Sequence, residues 1–409
     1  MNPPVKEVLQ SLAFPALGCT EPAAAALAAA AASSLLPGSS IDALHVTVDP
    51  NVFKNGLGVN IPGTGGRKGL DLAAALGALI ALPEMKMQIL QNVDARTLNR
   101  AQQLRDAGKV QVSLNREAAG LYIRCQVRSS ADDLAESIIQ GAHDRIVHLS
   151  LNKEPLVHSP LLQTSRPSAE SGPSSLESWL QEQSLFELFE LTRDIDADDL
   201  NFLMQGVDMN LALAESGLKQ RHGLGIGRSL QELSRKGLLA EDMALKAKIL
   251  TAAAADARMA GVDLPAMSSA GSGNNGLAAI LPIWAVHDFL GCSETEALTA
   301  IGLSHLITAM IKTHTGKLSA ICSCSIAAGA GAAAGIARLL GGGGQEISAA
   351  VNNLIADLGG ILCDGAKPGC ALKLATASGS AVQSALLAFS GSAISAQEGF
   401  QGDSAEETI

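Results

Sequence analysis

Glu154-Pro155-Leu156-Val157-His158-Ser159-Pro160-Leu161-Leu162-Gln163-Thr164-Ser165-Arg166-Pro167-Ser168-Ala169-Glu170-Ser171-Gly172-Pro173-Ser174-Ser175 divides the chain. Four prolines and six serines with few large apolar residues favour neither a helix nor a central strand, so the stretch predicts a linker. Before it the pattern is mixed. Residues 7–12 and an Ala-dense run at 22–36, with Pro22 near its first turn, predict helices. His45-Val46-Thr47-Val48 has strand character, and 51–69 reads as a turn-rich stretch with six glycines. Residues 70–82 predict a helix. Residues 110–114 and 121–127 alternate apolar and polar side chains and predict a hairpin. A helix at 132–142 and a strand at 145–151 complete this part.

After the linker the pattern is almost wholly helical. Helices are predicted over 178–192, 200–216, 241–260, 276–287, 294–312, 318–340, 345–358 and 372–389. The last ten residues, polar and acid-rich, predict a frayed tail. The fold class is therefore α+β, with a small mixed α/β N-terminal domain packed on a larger, mainly helical C-terminal domain. The first covers 1–155 and carries Cys19, the linker covers 156–175, and the second covers 176–409.

The 409 residues carry 29 Lys+Arg against 40 Asp+Glu, a net charge of −11, which argues against a basic nucleic-acid binder. Hydrophobic content of 47% and charged content of 17% exclude disorder as the main state. Only 3% of residues are aromatic and 41 are Gly, so the core must form by close helix approach through small side chains. Such Ala/Gly faces also allow self-association into a homo-oligomer. The N-terminus shows no basic region leading into an apolar run, and the seven cysteines are an odd number. Together they predict a cytoplasmic chain with reduced thiols. Residues 318–337 lack a formal charge, but Ala, Gly, Ser and Cys gain little from lipid, so no membrane span is predicted.

Three segments combine glycine with reactive side chains. In Gly18-Cys19-Thr20-Glu21-Pro22 a thiol precedes a helix, where the dipole favours thiolate; the plain alternative is a small buried hydrophobe. Ser268-Ser269-Ala270-Gly271-Ser272-Gly273-Asn274-Asn275-Gly276 opens a helix, so its free N–H groups could bind a carboxylate. It is not a dinucleotide fingerprint, because no strand clearly feeds it. Cys322 and Cys324 fall within the predicted 318–340 helix, while Cys363 and Cys370 bracket a Gly/Pro turn. By spacing alone buried structural thiols are the favoured reading, though three thiolates from two elements could instead hold a [4Fe–4S] cluster with one iron open. Cys125 on a strand, Cys292 in a helix connection and His222 in a glycine-rich turn complete the candidates; both cysteines read as structural.

Gly18-Cys19-Thr20-Glu21-Pro22, the Gly271–Gly276 loop, Leu318-Ser319-Ala320-Ile321-Cys322 and Cys363-Asp364-Gly365-Ala366-Lys367 together resemble the L-cysteine desulfidase family, over nearly the whole length. The C-terminal half is similar, more remotely, to the alpha domain of iron–sulfur L-serine dehydratases. The resemblance implies a lyase that splits L-cysteine to hydrogen sulfide, ammonia and pyruvate without pyridoxal phosphate. It implies Cys322, Cys363 and Cys370 as ligands of a [4Fe–4S] cluster and Cys19 as the catalytic base. Cys324 is set aside, because positions two apart on a helix point to different sides. The chemistry is coherent: a Lewis-acid iron neutralises the leaving sulfide, and a base removes the weakly acidic Cα proton. The small amino-acid substrate then needs an anion site, for which Ser272, Gly273, Asn274 and Asn275 are the candidates. Lys317 and Lys367, each close in sequence to an implied ligand, could offset cluster charge or hold a carboxylate, and Asn51, Lys54 and Asn55 could form a further wall. Two other readings stay open. One is an iron–sulfur L-serine/L-threonine dehydratase, since a hydroxyl leaving group obeys the same logic. The other is a non-catalytic metal or thiol protein.

Overall fold

The computed structural model describes residues 5–16, 18, 20–61, 63–91, 93–118, 120–163, 175–316, 319–396, 398–402 and 404–409. The chain begins α1 (Val5–Leu12), β1 (Pro15–Ala16), α2 (Thr20–Ser33), β2 (Ile41–Val48), α3 (Pro50–Gly56), α4 (Leu70–Ile80) and α5 (Ala95–Asp106). Strands β3 (Val110–Leu114), β4 (Tyr122–Ser129), β5 (Leu134–Gln140), β6 (Ile146–Leu151) and β7 (Glu154–Pro155) follow. The remainder is α6 (Ser175–Glu182), α7 (Leu185–Leu191), α8 (Ala197–Lys219), α9 (Ile226–Arg235), α10 (Met243–Met259), β8 (Ala266–Met267) and α11 (Gly273–Leu290). It ends with α12 (Glu294–Thr315), α13 (Ala327–Leu339), α14 (Gly344–Leu358), α15 (Cys370–Phe389) and α16 (Ala405–Thr408). Two units share this chain: residues 18–171 with 364–367 form a sheet unit, and 1–17, 172–363 and 368–409 form a helical unit. The class is the α+β one that the sequence predicts, with the sheet in the N-terminal part and helices after it.

The sheet unit holds one six-stranded sheet in the order β3-β2-β4-β5-β6-β7. Only β2 and β3 run parallel, joined by a crossover through α3, α4 and α5. One face carries Val46, Val48, Ile123, Cys125, Val127, Ala135, Ile139 and Leu149, all buried in one core with the alanines of α2. The α2 helix is buried from Glu21 to Ser33 because Ala lets a neighbour approach closely. A Cβ on Gly77 of α4 would lie 2.0 Å from the Ala26 carbonyl oxygen of α2, so only glycine permits that crossing.

The structure corrects four expectations here. Residues 132–142 are not a helix: Leu134–Gln140 form strand β5, and Asp132 turns the chain into it with φ 69°. Leu134, Ile138, Ala135 and Ile139 mimic helical spacing, but pairing with both β4 and β6 decides the conformation. The 110–114 and 121–127 strands do not form a hairpin, since β2 lies between them and bonds to both. The 51–69 stretch contains helix α3, whose N-cap Asp49 accepts from the Asn51 and Val52 N–H groups. Helix α5 was not anticipated.

In the helical unit α11, α12, α13, α14 and α15 share one large core. Glycines let α13 lie against α12: a Cβ on Gly331 would stand 2.5 Å from the Ser304 carbonyl oxygen, and on Gly335 2.7 Å from that of Ala300. The predicted 318–340 helix starts only at Ala327, because residues 320–326 form a bridge and a turn instead. The 178–192 helix breaks at Gln183-Ser184, where Ser184 opens α7 with a capping box. Helix α9 was not anticipated. The last residues are not frayed: Ala405 of α16 is fully buried and the Glu406 carboxylate accepts from the Leu185 N–H at 2.8 Å. No helix among the described residues is long and apolar enough to cross a membrane. Of the predicted linker, residues 164–174 lie outside the described residues.

Candidate active site

The cysteine-bearing segments meet through a short backbone ladder in the helical unit. Cys322 N donates to Ile361 O at 2.9 Å and Cys363 N to Ala320 O at 2.7 Å, around an antiparallel bridge between Ile321 and Leu362. Beyond Cys322 the chain turns: its carbonyl accepts from Ser325 N and Ile326 N, both at 3.0 Å, and leads into α13. The Ser319 hydroxyl donates to the Ile321 carbonyl at 2.9 Å, a local bond that competes with helix, and the Ser325 hydroxyl donates to Cys322 Sγ at 3.3 Å. Cys370 is the first residue of α15, at the positive end of that helix dipole. Cys322 and Cys370 are buried, and Cys324 and Cys363 are partly so.

The expectation that Cys322 and Cys324 share a helix is therefore wrong, and the reason for setting Cys324 aside falls with it. A side-chain hydrogen bond from Cys324 holds the Cys322 thiol well below the ordinary thiol range, against burial and with help from Ser325 and Lys373. Cys324 is pushed up by that same hydrogen bond, by burial and by the nearby Cys370 and Cys363. Two lysines attend the group. Lys312, buried on α12, is pushed down by desolvation while Cys324 and Cys363 act to raise it; its ammonium donates to Gly316 O. Lys373 donates to Leu362 O at 2.7 Å. The sequence pointed to Lys317 and Lys367 instead. Lys317 lies outside the described residues. Lys367 belongs to the sheet unit, where Nζ donates to Lys54 O at 3.3 Å and to Asp364 O.

The glycine-rich loop is set by the β1–β8 ladder, in which Pro15 faces Met267 and Ala16 faces Ala266. The Ser268 hydroxyl donates to Phe14 O at 2.7 Å, and Ala270 and Gly271 take φ of 44° and 81°. Ser272 then occupies the N-cap of α11 without a side-chain cap bond, so the first N–H groups of that helix keep their anion-binding potential. The Arg258 guanidinium lies against Gly273: a Cβ there would stand 2.5 Å from Nε. Arg258 Nη1 donates to Asn274 Oδ1 at 2.9 Å. Asn275 Nδ2 donates to Ser323 Oγ at 3.1 Å, between Cys322 and Cys324, while its buried Oδ1 has no hydrogen-bond partner among the described residues. Ser269 Oγ and His305 Nδ1 are 2.8 Å apart, and burial pushes that imidazole down to about 4, so it stays neutral. The helical unit thus gathers Cys322, Cys324, Cys363, Cys370, Lys312, Lys373 and Asn275.

In the sheet unit Asn55 of α3 donates Nδ2 to Glu21 Oε1 at 2.8 Å. Cys19 lies outside the described residues. His222 sits 3.2 Å from Ser216 Oγ, in the α8–α9 corner. Cys125 is buried in the sheet, which pushes its thiol up, and Cys292 lies 3.4 Å from His287 Nδ1. Sequence reasoning passed over Lys312, Lys373, Arg258 and Glu21. The only sequence signal for Lys312 was a charge directly following the largely apolar 306–311 stretch. Arg258 lies in the last turn of the predicted 241–260 helix, where a basic residue is an ordinary dipole partner.

A family model described as serine dehydratase alpha chain matches residues 84–409. The chain is 51% identical over 405 residues to a UPF0597 protein of Desulfatibacillum aliphaticivorans, covering 99% of this chain and 92% of that one. It is 49% identical over 405 residues to a UPF0597 protein of Desulfotalea psychrophila, with the same coverage. With a UPF0597 protein of Geobacter sulfurreducens the identity is 45% over 404 residues, or 98% and 92% of the two chains. The chain belongs to the serine dehydratase alpha-chain family, a family of lyase type, and groups within it with the UPF0597 proteins.

Proposed function

We propose that this chain is a lyase that eliminates the β-substituent of a small L-amino acid, converting L-cysteine to hydrogen sulfide, ammonia and pyruvate. Cys322, Cys363 and Cys370 are proposed to hold a [4Fe–4S] cluster. The observation that carries the reading is the paired backbone at 320–322 and 361–363, which joins the segments of two of these cysteines while the third opens α15. The donors suit such a group: soft thiols from separate elements, with two lysines to offset negative charge. Among the described residues no three His, Cys, Asp or Glu side chains are arranged to hold a single metal ion. Cys322, Cys363 and Cys370 would each ligate a different iron of such a cluster, so they would not need to converge on one point. When bound, the cluster supplies a Lewis-acid iron for the departing sulfur.

The chain's own residues do the rest. The start of α11 and Arg258 offer N–H donors and a positive charge for the substrate carboxylate, over Ser272, Gly273, Asn274 and Asn275. Asn275, tied to Ser323, keeps that seat in register with the cysteine segment. Cys19, just before α2, takes the Cα proton as thiolate. Lys317, Lys367 and Asn55 are proposed as further substrate contacts. The family match over 84–409 favours a second reading, dehydration of L-serine at the same site. Anaerobic assays of the reconstituted chain with each amino acid separate the two. Sulfide and pyruvate in equal amounts from L-cysteine support the first, and pyruvate from L-serine alone supports the second.

A further inference from the structure

Two buried acceptors in the sheet unit stand together with no cation paired to them among the described residues. Glu21, in the first turn of α2, is 6% exposed, and Asn55 of α3 is 8% exposed. The Glu21 carboxylate accepts from Asn55 Nδ2 at 2.8 Å and from the Thr20 hydroxyl at 3.4 Å, both neutral donors. A carboxylate only accepts, so the amide must turn Nδ2 toward it and Oδ1 away. That Oδ1 is buried and has no hydrogen-bond partner among the described residues. Glu21 is in no ion pair among them. Lys367, whose loop packs on α3 so that a Gly365 Cβ would fall 2.9 Å from Asn55 Cα, directs its Nζ to the Lys54 and Asp364 carbonyls instead.

The helix dipole accounts for a carboxylate in the first turn of α2. It does not account for an unmatched carbonyl beside it, since each such buried group carries a desolvation penalty. A ligand with several N–H donors and one positive charge answers both needs, and a primary ammonium has three donors. We propose that Glu21 and the Asn55 carbonyl receive the α-ammonium group of the amino-acid ligand. This rests on the amino-acid lyase reading and assigns it a group that selects amino acids over the matching deaminated acids.

The test compares dissociation constants, measured by anaerobic calorimetry on the full chain, for L-cysteine against 3-mercaptopropionate and for L-serine against 3-hydroxypropionate. Within each pair only the ammonium differs. The wild-type chain is expected to prefer the amino acid in at least one pair. Glu21→Gln is expected to lower that preference about tenfold or more, without changing affinity for the deaminated acid. A purely structural role would shift both members of a pair alike. No preference in the wild-type chain, or a preference that Glu21→Gln leaves intact, overturns the assignment. If Glu21→Gln does not fold, Asn55→Ala decides: a reduced preference supports the site and an unchanged one overturns it. A preference that depends on Glu21 in a chain that releases neither sulfide nor pyruvate keeps this assignment and sinks the lyase reading; turnover with a preference independent of Glu21 does the reverse.

Discussion

Asn275 Nδ2 donates to Ser323 Oγ at 3.1 Å, so the opening turn of α11 is bonded to the residue between Cys322 and Cys324. One amide thereby couples the candidate carboxylate seat to the cysteine segment. Asn275→Ala leaves the Ser323 hydroxyl without that partner, at a cost of about 1–3 kcal/mol. The expected outcome is a lower Tm together with a raised KM for the amino acid. Unchanged values of both would show that the bond is incidental.

Gly77→Ala tests how the sheet unit is packed. The added Cβ would stand 2.0 Å from a backbone carbonyl of α2, which cannot swing aside as a side chain can. A loss of at least about 3 kcal/mol is expected, read as a lowered urea midpoint for the full chain. An unaltered midpoint would mean that α2 and α4 do not cross this closely.

His305 sets a pH dependence. Burial lowers its folded-state value to about 4, from 6.5 in the exposed residue. Between those values the unfolded chain binds the proton and the folded chain does not, so stability present above pH 6.5 is lost as pH falls toward 4. The loss amounts to about 3 kcal/mol over that window. His305→Gln is expected to flatten this part of the stability profile, measured by urea unfolding at several pH values. A profile as steep as that of the wild-type chain would contradict the assignment.

Much of this was legible in the sequence, for local reasons. Alternation in 121–127 marked a strand, and Ala-rich runs marked helices that approach closely through small residues. What escaped was set by distant partners. The spacing of Leu134, Ala135, Ile138 and Ile139 suits either period, and only flanking strands choose between them. The insertion of β2 between β3 and β4 is a matter of topology that no window of sequence contains. At the site, the Ala-rich run suggested a helix through Cys322 and Cys324, while the bridge to Leu362 holds 320–322 extended and a turn carries Cys324. Lys312 and Arg258 fall at or near the ends of predicted helices, 294–312 and 241–260, and only packing places one beside the cysteines and the other over Gly273. Glu21 stood within a quoted motif, but its buried partner Asn55 is 34 positions away.

The central claim is that Cys322, Cys363 and Cys370 together hold a cluster. The most direct measurement is the iron and sulfide content of the anaerobically reconstituted chain beside that of Cys363→Ser, with Cys125→Ser as a control from the sheet core. The account predicts about four irons per chain in the wild-type protein and in Cys125→Ser, and a brown colour lost with most of the iron in Cys363→Ser. A colourless, iron-free wild-type chain, or equal iron in all three proteins, would contradict it.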